Sequence, residues 1–286
     1  MYNNFGDKMF NYEFKNNNIY IKGIENFDLP HTLDCGQAFR WEEKTDGVWC
    51  GVAFNKYLEL EKLEDGTVVL YNTTEEDFGN LWCDYFDLNR DYNEIITAIG
   101  GNDILKTAAE FGSGIRVLNQ EPWETLCSFI ISQNNNIKRI KGIIARLCEN
   151  FGENMGGYYT FPTAEKIASL TLKDLEVLRS GFRAKYILDA ATKVSNGEID
   201  LYNLKNLSVD DARAQLMKIK GVGPKVADCA LLFSHKHIEA FPKDVWIKRA
   251  MEVLFGGELP QEAVPFAGIV QQYIFFYARE TKLNIE

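Results

Sequence analysis

The sequence contains no long apolar run. Nowhere in its 286 residues does an apolar stretch approach the roughly 18 residues of a membrane-spanning helix. Its first residues lack the basic segment followed by an apolar one that marks a secretion signal. Prolines (7) and glycines (22) are too few for a low-complexity chain, and 46% hydrophobic with 25% charged residues is typical of a globular protein. We therefore expect a cytoplasmic protein of one large or two ordinary domains, with no membrane partner.

Metal-binding patterns are also scarce. The chain has three histidines, and its six cysteines form no CxxC pair and no group with zinc spacing. In a chain of this size without an export signal, such cysteines are expected to be free thiols in a reducing compartment. We therefore expect no metal site. The cysteines are Cys35, Cys50, Cys83, Cys127, Cys148 and Cys229.

Positive charge is outnumbered by negative charge, but the two are unevenly distributed. The formal net charge is −10, which taken alone argues against a nucleic-acid partner. Residues 1–118 hold 10 basic and 21 acidic residues, whereas residues 119–286 hold 21 and 20. Between residues 216 and 250, seven basic residues stand against three acidic ones. The acidic charge therefore belongs to the first part of the chain, and the second part contains a basic region.

The residue pattern predicts an α+β fold in two parts. Five segments between residues 9 and 72 are rich in β-branched and aromatic residues. Asp65-Gly66, between the last two, predicts a hairpin and hence an antiparallel sheet. After Tyr71 the pattern is helical, beginning with a capping-box start in the sequence TTEED at 73–77. We place an N-terminal sheet domain with helices at 1–119 and an all-helical domain at 120–286. The predicted strands are 9–14, 18–22, 48–54, 57–63 and 67–71.

A helix-hairpin-helix is predicted at about residues 210–233. Its hairpin, from Lys218 to Lys225, has the sequence KIKGVGPK. Two glycines two residues apart permit positive φ angles in a tight turn, and the proline suits the first position of the second helix. Such a turn directs backbone N–H groups outward at a helix N-terminus, which favours a phosphate. A plain loop between core helices would look similar, but the flanking lysines favour a nucleic-acid backbone.

Two residues near this hairpin are candidates for chemistry. Lys225 lies in the first turn of an apolar helix, where the helix dipole and partial burial disfavour an ammonium ion. A neutral amine is a nucleophile suited to an aldehydic sugar carbon, although a further phosphate contact is the simpler role. Asp244 begins the next predicted helix, and on spacing alone an N-cap is a sufficient role for it.

Four separated motifs resemble the helix-hairpin-helix DNA glycosylase superfamily, and more narrowly its 8-oxoguanine DNA glycosylase/AP lyases. They occur in the order of that family and cover most of the chain. The motifs are LDCGQAFRW at 33–41, SFIISQNNNI at 128–137, GVGPKVADC at 221–229 with PKDV at 242–245, and AGIVQ at 267–271 extending to Phe275.

The resemblance implies a repair enzyme for duplex DNA that contains oxidised guanine. By this resemblance, Lys225 attacks C1′ of the damaged nucleotide, releases the base and forms a Schiff base. Asp244 is implied to stabilise the positive charge of the sugar and to help activate the lysine. Loss of the 2′ proton then nicks the strand 3′ to the lesion. We expect a monomer, associated with the nucleoid if the source is bacterial.

The resemblance also implies a pocket for a base that has left the stack. Cys229 and Phe275 sandwich this base, and Gln271 contacts its Watson–Crick edge. Gly36 offers a backbone carbonyl, which attracts the N7–H of 8-oxoguanine and repels the bare N7 of guanine. Phe39 belongs to the same N-terminal pocket motif. Without the resemblance, Phe275 would be a core residue and Gly36 a turn glycine.

Further residues are implied to contact the DNA around the lesion. Asn134 fills the space left by the base, and Phe182 replaces the lost stacking by wedging into the duplex. Arg139 and Arg183 bind the unpaired cytosine and favour it over adenine; a solvated helix face is the alternative role for both. The remaining implied DNA contacts are Lys220, Gly221, Gly223 and Trp246.

The sequence departs from the better-known branch of this family in three places. Trp246 stands where a histidine is usual, Pro224 replaces a threonine, and Phe182 lacks a tyrosine hydroxyl. Because Cys229 is the last cysteine, the four-cysteine iron–sulfur cluster of the endonuclease III branch is not expected, and the only cofactor envisaged is a monovalent cation at the hairpin. Two other functions stay open: an alkylated-base glycosylase, whose branch generally lacks the lysine, and a non-catalytic DNA-binding module.

Overall fold

The computed structural model describes residues 10–281. Its N-terminal part contains six strands, β1 Asn11–Lys15, β2 Asn18–Lys22, β3 Trp41–Thr45, β4 Val48–Ala53, β5 Lys56–Lys62 and β6 Val68–Tyr71. They form one antiparallel sheet in the order β1-β2-β6-β5-β4-β3. Asn16 and Asn17 supply the two positive φ angles, 52° and 58°, that suit a two-residue hairpin. The predicted antiparallel sheet is confirmed.

The sequence pattern located five of these strands to within two residues at each described end; Met9, in the first predicted strand, lies outside the described residues. The missed strand is β3, in which only Trp41 is buried. It forms an edge of the sheet, and a charged edge strand has no alternation of buried and exposed apolar residues to reveal it.

Helices occupy most of the remaining chain, as predicted. Thr74 caps the first long helical segment, since its side chain accepts a hydrogen bond from the Asp77 amide at 3.0 Å. No helix within residues 10–281 is long and apolar enough to cross a membrane. The helices are α1 Leu29–Leu33, α2 Glu75–Asp77, α3 Cys83–Tyr85, α4 Tyr92–Ile99, α5 Asp103–Phe111, α6 Pro122–Ser132, α7 Ile137–Phe151, α8 Ala164–Ala168, α9 Arg183–Ser195, α10 Val209–Leu216, α11 Pro224–Ser234, α12 Val245–Phe255 and α13 Ala267–Glu280, with a π-helical turn at Phe78–Trp82 and 3-10 turns at Asp174–Leu178, Leu201–Asn206 and Gln261–Phe266.

Buried side chains form two cores. The first lies between the sheet and the helical segment α2–α3, where Trp41 and Phe86 pack with ring centroids 6.0 Å apart. The second is made by α4 to α13 and takes Cys35 and Phe39 from the N-terminal part. Helices α4 and α5 therefore pack with the helical part although they precede residue 120; the boundary at 119/120 stays a prediction.

Two buried polar side chains fix the segment that carries Gly36. Gln37 donates from Nε2 to the carbonyls of Thr32 and Arg116, each at 2.8 Å, and accepts from the Leu118 amide at 2.9 Å. Arg116 is only 2% exposed and donates to the Asp87 carbonyl at 2.6 Å and the Glu25 carbonyl at 3.0 Å. The loop between α1 and β3 is thus tied to the connection between the two cores.

Candidate active site and DNA interface

A small cavity lies where the loop after α1 meets the helical part. Its volume is about 60 Å³. The lining residues are Cys35, Gly36, Phe129, Lys225, Cys229, Phe233, Pro242, Asp244, Gln271, Gln272 and Phe275.

The structure brings together most of the residues predicted for chemistry and base binding. Six of the seven line this one cavity, although they come from positions between 36 and 275 of the chain. Phe39 is the exception. It is 7% exposed and packs edge-on against Phe129 with ring centroids 5.8 Å apart. Phe39 therefore supports the cavity wall from behind, because Phe129 stands between it and the cavity.

Lys225 occupies the second position of α11, after Pro224. Its Nζ lies 5.2 Å from the centre of the Phe129 ring, and its side chain is half-buried, as the sequence predicted. Cys229, one turn further along α11, is buried. Burial raises the pKa of this thiol to about 11, although the nearby Lys225 acts to lower it. At neutral pH Cys229 is therefore an uncharged, polarisable wall rather than a thiolate.

Asp244 is the N-cap of α12, as its position predicted. Its Oδ1 accepts a hydrogen bond from the Ile247 amide at 2.7 Å, and the carboxylate also lines the cavity with Lys225. A capping carboxylate is held in place by the helix it caps. The cap role and a role beside the lysine are therefore compatible.

Gln271 and Phe275 belong to α13, whose first turn packs closely against Leu232 near the end of α11 and against the loop that follows it. A Cβ at Gly268 would stand 2.3 Å from Leu232 Cδ1 and 2.7 Å from the Ala240 carbonyl oxygen. The Gly268 amide donates to the Ile238 carbonyl at 2.7 Å. The absence of a side chain at residue 268 thus allows α13 to bring Gln271 to the cavity.

The predicted helix-hairpin-helix is formed by α10 and α11. Gly221 has φ of +80°, and a Cβ there would lie 2.4 Å from the Tyr186 ring. The positive φ that the glycines permit occurs at Gly221, whereas the φ of Gly223 is −102°. A Cβ at Gly223 would meet no atom within 4 Å. Gly221 is thus required by the fold, whereas Gly223 leaves open space above the N-terminus of α11.

Helix α9 supports the hairpin, which the sequence analysis did not predict. Asp189 accepts from the Lys220 amide at 2.7 Å, and Lys193 donates to the Lys218 carbonyl at 2.6 Å. Asp189 and Lys193 also pair with each other at 3.1 Å. Their spacing of four residues is the one available signal, and it is common on solvated helices. The side chain of Lys220 remains exposed.

The loop between α6 and α7 is held by Arg183. This arginine is 2% exposed. Its Nε donates to the Gln133 carbonyl at 3.0 Å and its Nη2 to the Asn134 carbonyl at 2.9 Å, while Nη1 lies 3.2 Å from the Ser180 carbonyl. In this structure the donors of Arg183 are engaged inside the protein, where it positions the loop; its predicted contact with cytosine stays a prediction.

The other predicted DNA contacts are available at the surface. Asn134 is exposed and has a left-handed φ of 47°, and Arg139 is exposed on the first turn of α7. Phe182 is 46% exposed and Trp246 is 53% exposed. Large exposed aromatic side chains beside a hairpin of this kind are suited to stacking on bases or sugars.

Two protein families match nearly the whole chain. The family described as "8-oxoguanine DNA glycosylase, N-terminal domain" matches residues 19–126, and the "HhH-GPD superfamily base excision DNA repair protein" matches residues 127–263.

Individual relatives agree with these families. A solved structure of MBOgg1 in complex with a low-affinity DNA ligand is 44% identical, with a TM-score of 0.89 over 96% of this chain and 99% of that one. The Clostridium acetobutylicum 8-oxoguanine glycosylase/lyase, solved with DNA containing cytosine opposite 8-oxoG, is 42% identical, with a TM-score of 0.88 over 95% of this chain and 98% of that one. The Saccharomyces cerevisiae N-glycosylase/DNA lyase is 34% identical over 77% of this chain but only 66% of its own length.

Proposed function

The chain belongs to the 8-oxoguanine DNA glycosylase family of the HhH-GPD superfamily, and on that premise we propose that it excises 8-oxoguanine opposite cytosine and then nicks the strand. The observation that carries the proposal is the cavity itself. It joins an amine, Lys225, and a carboxylate, Asp244, to three groups suited to a flipped purine, the backbone of Gly36, Gln271 and Phe275.

The first chemical step replaces the glycosidic bond by a bond to Lys225. The amine attacks C1′ of the flipped nucleotide, the bond from C1′ to N9 breaks, and the base leaves with the bonding electrons. Positive charge develops on the sugar as that bond lengthens. The Asp244 carboxylate, fixed by its bond to the Ile247 amide, stabilises this charge without reorganising.

The second step uses the covalent intermediate. The sugar ring opens as the nitrogen of Lys225 forms a Schiff base with C1′. Loss of a 2′ proton then expels the 3′ phosphate by β-elimination, which leaves the strand nicked 3′ to the lesion. An alkylated-base glycosylase that only hydrolyses the glycosidic bond has no need of an amine in this cavity.

Selection of the lesion belongs to the opposite wall. Gly36 has φ of +94° and lies on the segment fixed by Gln37, so its carbonyl is preorganised to accept the N7–H that 8-oxoguanine has and guanine lacks. Gln271 takes the Watson–Crick edge, and Cys229 and Phe275 take the two faces of the base. The uncharged thiol of Cys229 suits contact with an aromatic ring.

Binding of the duplex uses the hairpin and the exposed residues around the cavity. The N-terminus of α11 and the hairpin amides bind a backbone phosphate, and Lys220 and Trp246 flank that contact. Asn134 and Phe182 occupy the gap left by the base, and Arg139 reads the unpaired cytosine. We expect the protein to act as a cytoplasmic monomer without an iron–sulfur cluster.

Borohydride trapping tests the proposal directly. The purified protein is incubated with a duplex that contains 8-oxoguanine opposite cytosine, and borohydride then reduces any Schiff base to a stable adduct. We expect an adduct and a nicked strand with this duplex and neither with undamaged DNA. Tight binding without an adduct would instead support a non-catalytic module, and release of 3-methyladenine but not 8-oxoguanine would support an alkylated-base glycosylase.

A further inference from the structure

The cavity contains a second buried glutamine, to which the steps above give no role. Gln272 is 5% exposed, as is Gln271, and both line the cavity. Consecutive residues of a helix point about 100° apart, yet these two side chains converge. Nε2 of Gln272 donates a hydrogen bond to Oε1 of Gln271 at 2.6 Å.

The thiol of Cys35 contacts the carbonyl end of the Gln272 amide. Sγ of Cys35 lies 3.7 Å from Oε1 of Gln272 and 3.6 Å from the Thr32 carbonyl. A thiol is a weak donor and a weak acceptor; here the Gln272 carbonyl faces it and the Gln272 amino group faces Gln271. Burial raises the pKa of Cys35 to about 11, and this thiol therefore keeps its hydrogen at neutral pH.

This contact restricts Gln271. An unrestrained side-chain amide can rotate by half a turn, which exchanges its donor and its acceptor and lets it match either kind of purine edge. With Oε1 held by Gln272, the amino group of Gln271 must lie on the other side. The amide then offers a donor in one place and the second lone pair of Oε1 in the other.

We propose that Gln272 is a positioning residue that locks the Gln271 amide in one orientation and so selects purines with a carbonyl at C6 and a hydrogen on N1. In that orientation the amino group of Gln271 donates to O6 and Oε1 accepts from N1–H. In a purine with an amino group at C6 and no hydrogen on N1, the C6 amino group faces the Gln271 amino group, and both are donors. N1 faces Oε1, and both are acceptors, so neither hydrogen bond forms. The inference rests on the proposed function, because it concerns the same pocket.

The test compares two lesions that differ only at this edge. Both 8-oxoguanine and 8-oxoadenine carry the N7–H that Gly36 would accept. The two bases differ at positions 1 and 6 and in the amino group at C2, which 8-oxoadenine lacks. Single-turnover excision is measured for each, opposite cytosine, with wild type and Gln272→Met. We expect the preference for 8-oxoguanine to fall roughly fivefold to tenfold in the variant, the equivalent of one net hydrogen bond.

Two variants of Cys35 test the orientation of the lock. Cys35→Ser keeps a donor beside Oε1 of Gln272 and should retain the wild-type preference. Cys35→Val removes the donor and should lower the preference, although less than Gln272→Met does, because the thiol shares its hydrogen with the Thr32 carbonyl.

A buried amide outside the cavity is the matched control. Asn119 is 7% exposed and donates to the Asp84 carbonyl at 2.8 Å. Asn119→Leu should lower the melting temperature and leave the preference unchanged. The proposal is overturned if Gln272→Met retains the wild-type ratio of the two rates. If wild type excises neither base, the proposed function fails, and the ratio of dissociation constants for the two duplexes then decides the role of Gln272 alone.

Discussion

The proposed reaction depends on Lys225, and a glutamine at this position tests that role. Lys225→Gln preserves most of the side-chain length beside Phe129 but has no nucleophilic amine. We expect excision and borohydride trapping to disappear, while lesion binding stays within about tenfold, ~1.4 kcal/mol. Gel-shift titration and trapping on one duplex measure both properties. Trapping by the variant would mean that another amine forms the Schiff base.

Asp244 caps α12 and, in the proposed reaction, stabilises positive charge on the sugar, and one substitution separates these two roles. Asparagine caps a helix about as well as aspartate, so Asp244→Asn should keep the bond to the Ile247 amide and the melting temperature. The negative charge beside the sugar is lost, and single-turnover excision should slow by roughly a hundredfold or more. Turnover like that of wild type would leave Asp244 as a cap only.

Single residues were predictable where a motif fixed their chemistry and unpredictable where packing decided. Lys225, Asp244 and Gln271 were predicted from motifs to share one site, and the structure brings all three to one cavity, while their chemical roles stay proposals. Arg183 has the right charge, but its side chain is buried and lies within hydrogen-bond distance of three backbone carbonyls. The local sequence pattern does not predict these contacts. The sequence did not point to Gln272 because consecutive residues of a helix are expected on different faces, so a neighbour of Gln271 is not expected in the same cavity.

At the scale of the element, the two hairpin glycines should respond differently to alanine. Gly221→Ala places a Cβ at positive φ against the Tyr186 ring, so it costs at least about 1–2 kcal/mol and lowers the melting temperature by several degrees. Gly223→Ala adds a methyl group to open space at an ordinary φ, and should fold normally.

The same pair separates folding from binding. In Gly223→Ala the methyl group stands where a phosphate would approach the amides of α11, so affinity for lesion and undamaged duplexes should fall together. Calorimetry and DNA titration of both variants measure this. Equal stability of the two variants, or full affinity in Gly223→Ala, would contradict the assignment.

Elements were predictable where their residues alternate or repeat. The hairpin helices, the helix start within residues 73–77 and five strands follow from such patterns. Strand β3 has one buried residue, Trp41, but Asp46-Gly47 joins it to β4 as a two-residue loop, a hairpin signal that the sequence analysis did not use. The support of the hairpin by α9, in contrast, is a long-range contact made through Asp189 and Lys193.

At the scale of the whole molecule, an acidic protein has to bind an acidic polymer. We predict that binding uses a small basic face at Lys218, Lys220, Lys243, Lys248 and Arg249, together with the hairpin amides. Each phosphate neutralised by a cation contributes about 0.9 to the salt slope, and amides release no counterion. The dependence of affinity on salt should therefore be shallow for a DNA enzyme.

Two substitutions divide this face from the pocket. Lys220→Ala should weaken lesion and undamaged duplexes about equally, because a phosphate contact carries no base information. Gln271→Ala should erode the preference between them. Titrations of both variants on both duplexes at two salt concentrations provide the measurement, and loss of only lesion binding in Lys220→Ala would refute the division.

A buried carboxyl between the sheet and the helical part should make stability depend on pH. Glu124 pairs with Arg40 at 3.2 Å, yet burial raises its pKa from 4.5 to about 7 against the lowering effect of Arg40. Between these values the folded protein keeps a proton that the unfolded chain releases, so stability falls as pH rises, by up to about 1.4 kcal/mol per pH unit.

Glu124→Gln removes this titration and keeps an amide beside Arg40. Its free energy of unfolding should change less between pH 4.5 and 7 than that of wild type, and the two profiles should run parallel above pH 7. Urea unfolding across this range provides the comparison. Coinciding slopes below pH 7 would show that Glu124 ionises in the folded protein as it does in the unfolded chain.

The cavity is built from chain segments that lie far apart in the sequence, and this has a consequence for evolution. In the proposed function, the groups that cut come from residues 221–245, whereas most groups that choose the base come from residues 33–41 and 267–275, with Cys229 as the exception. A lineage can therefore acquire a new substrate by mutations near the two ends of the chain while the inherited reaction stays intact. At Gly268, where a Cβ would lie 2.3 Å from Leu232, α13 packs closely against its neighbours. Such divergence is therefore restricted to changes that preserve this contact.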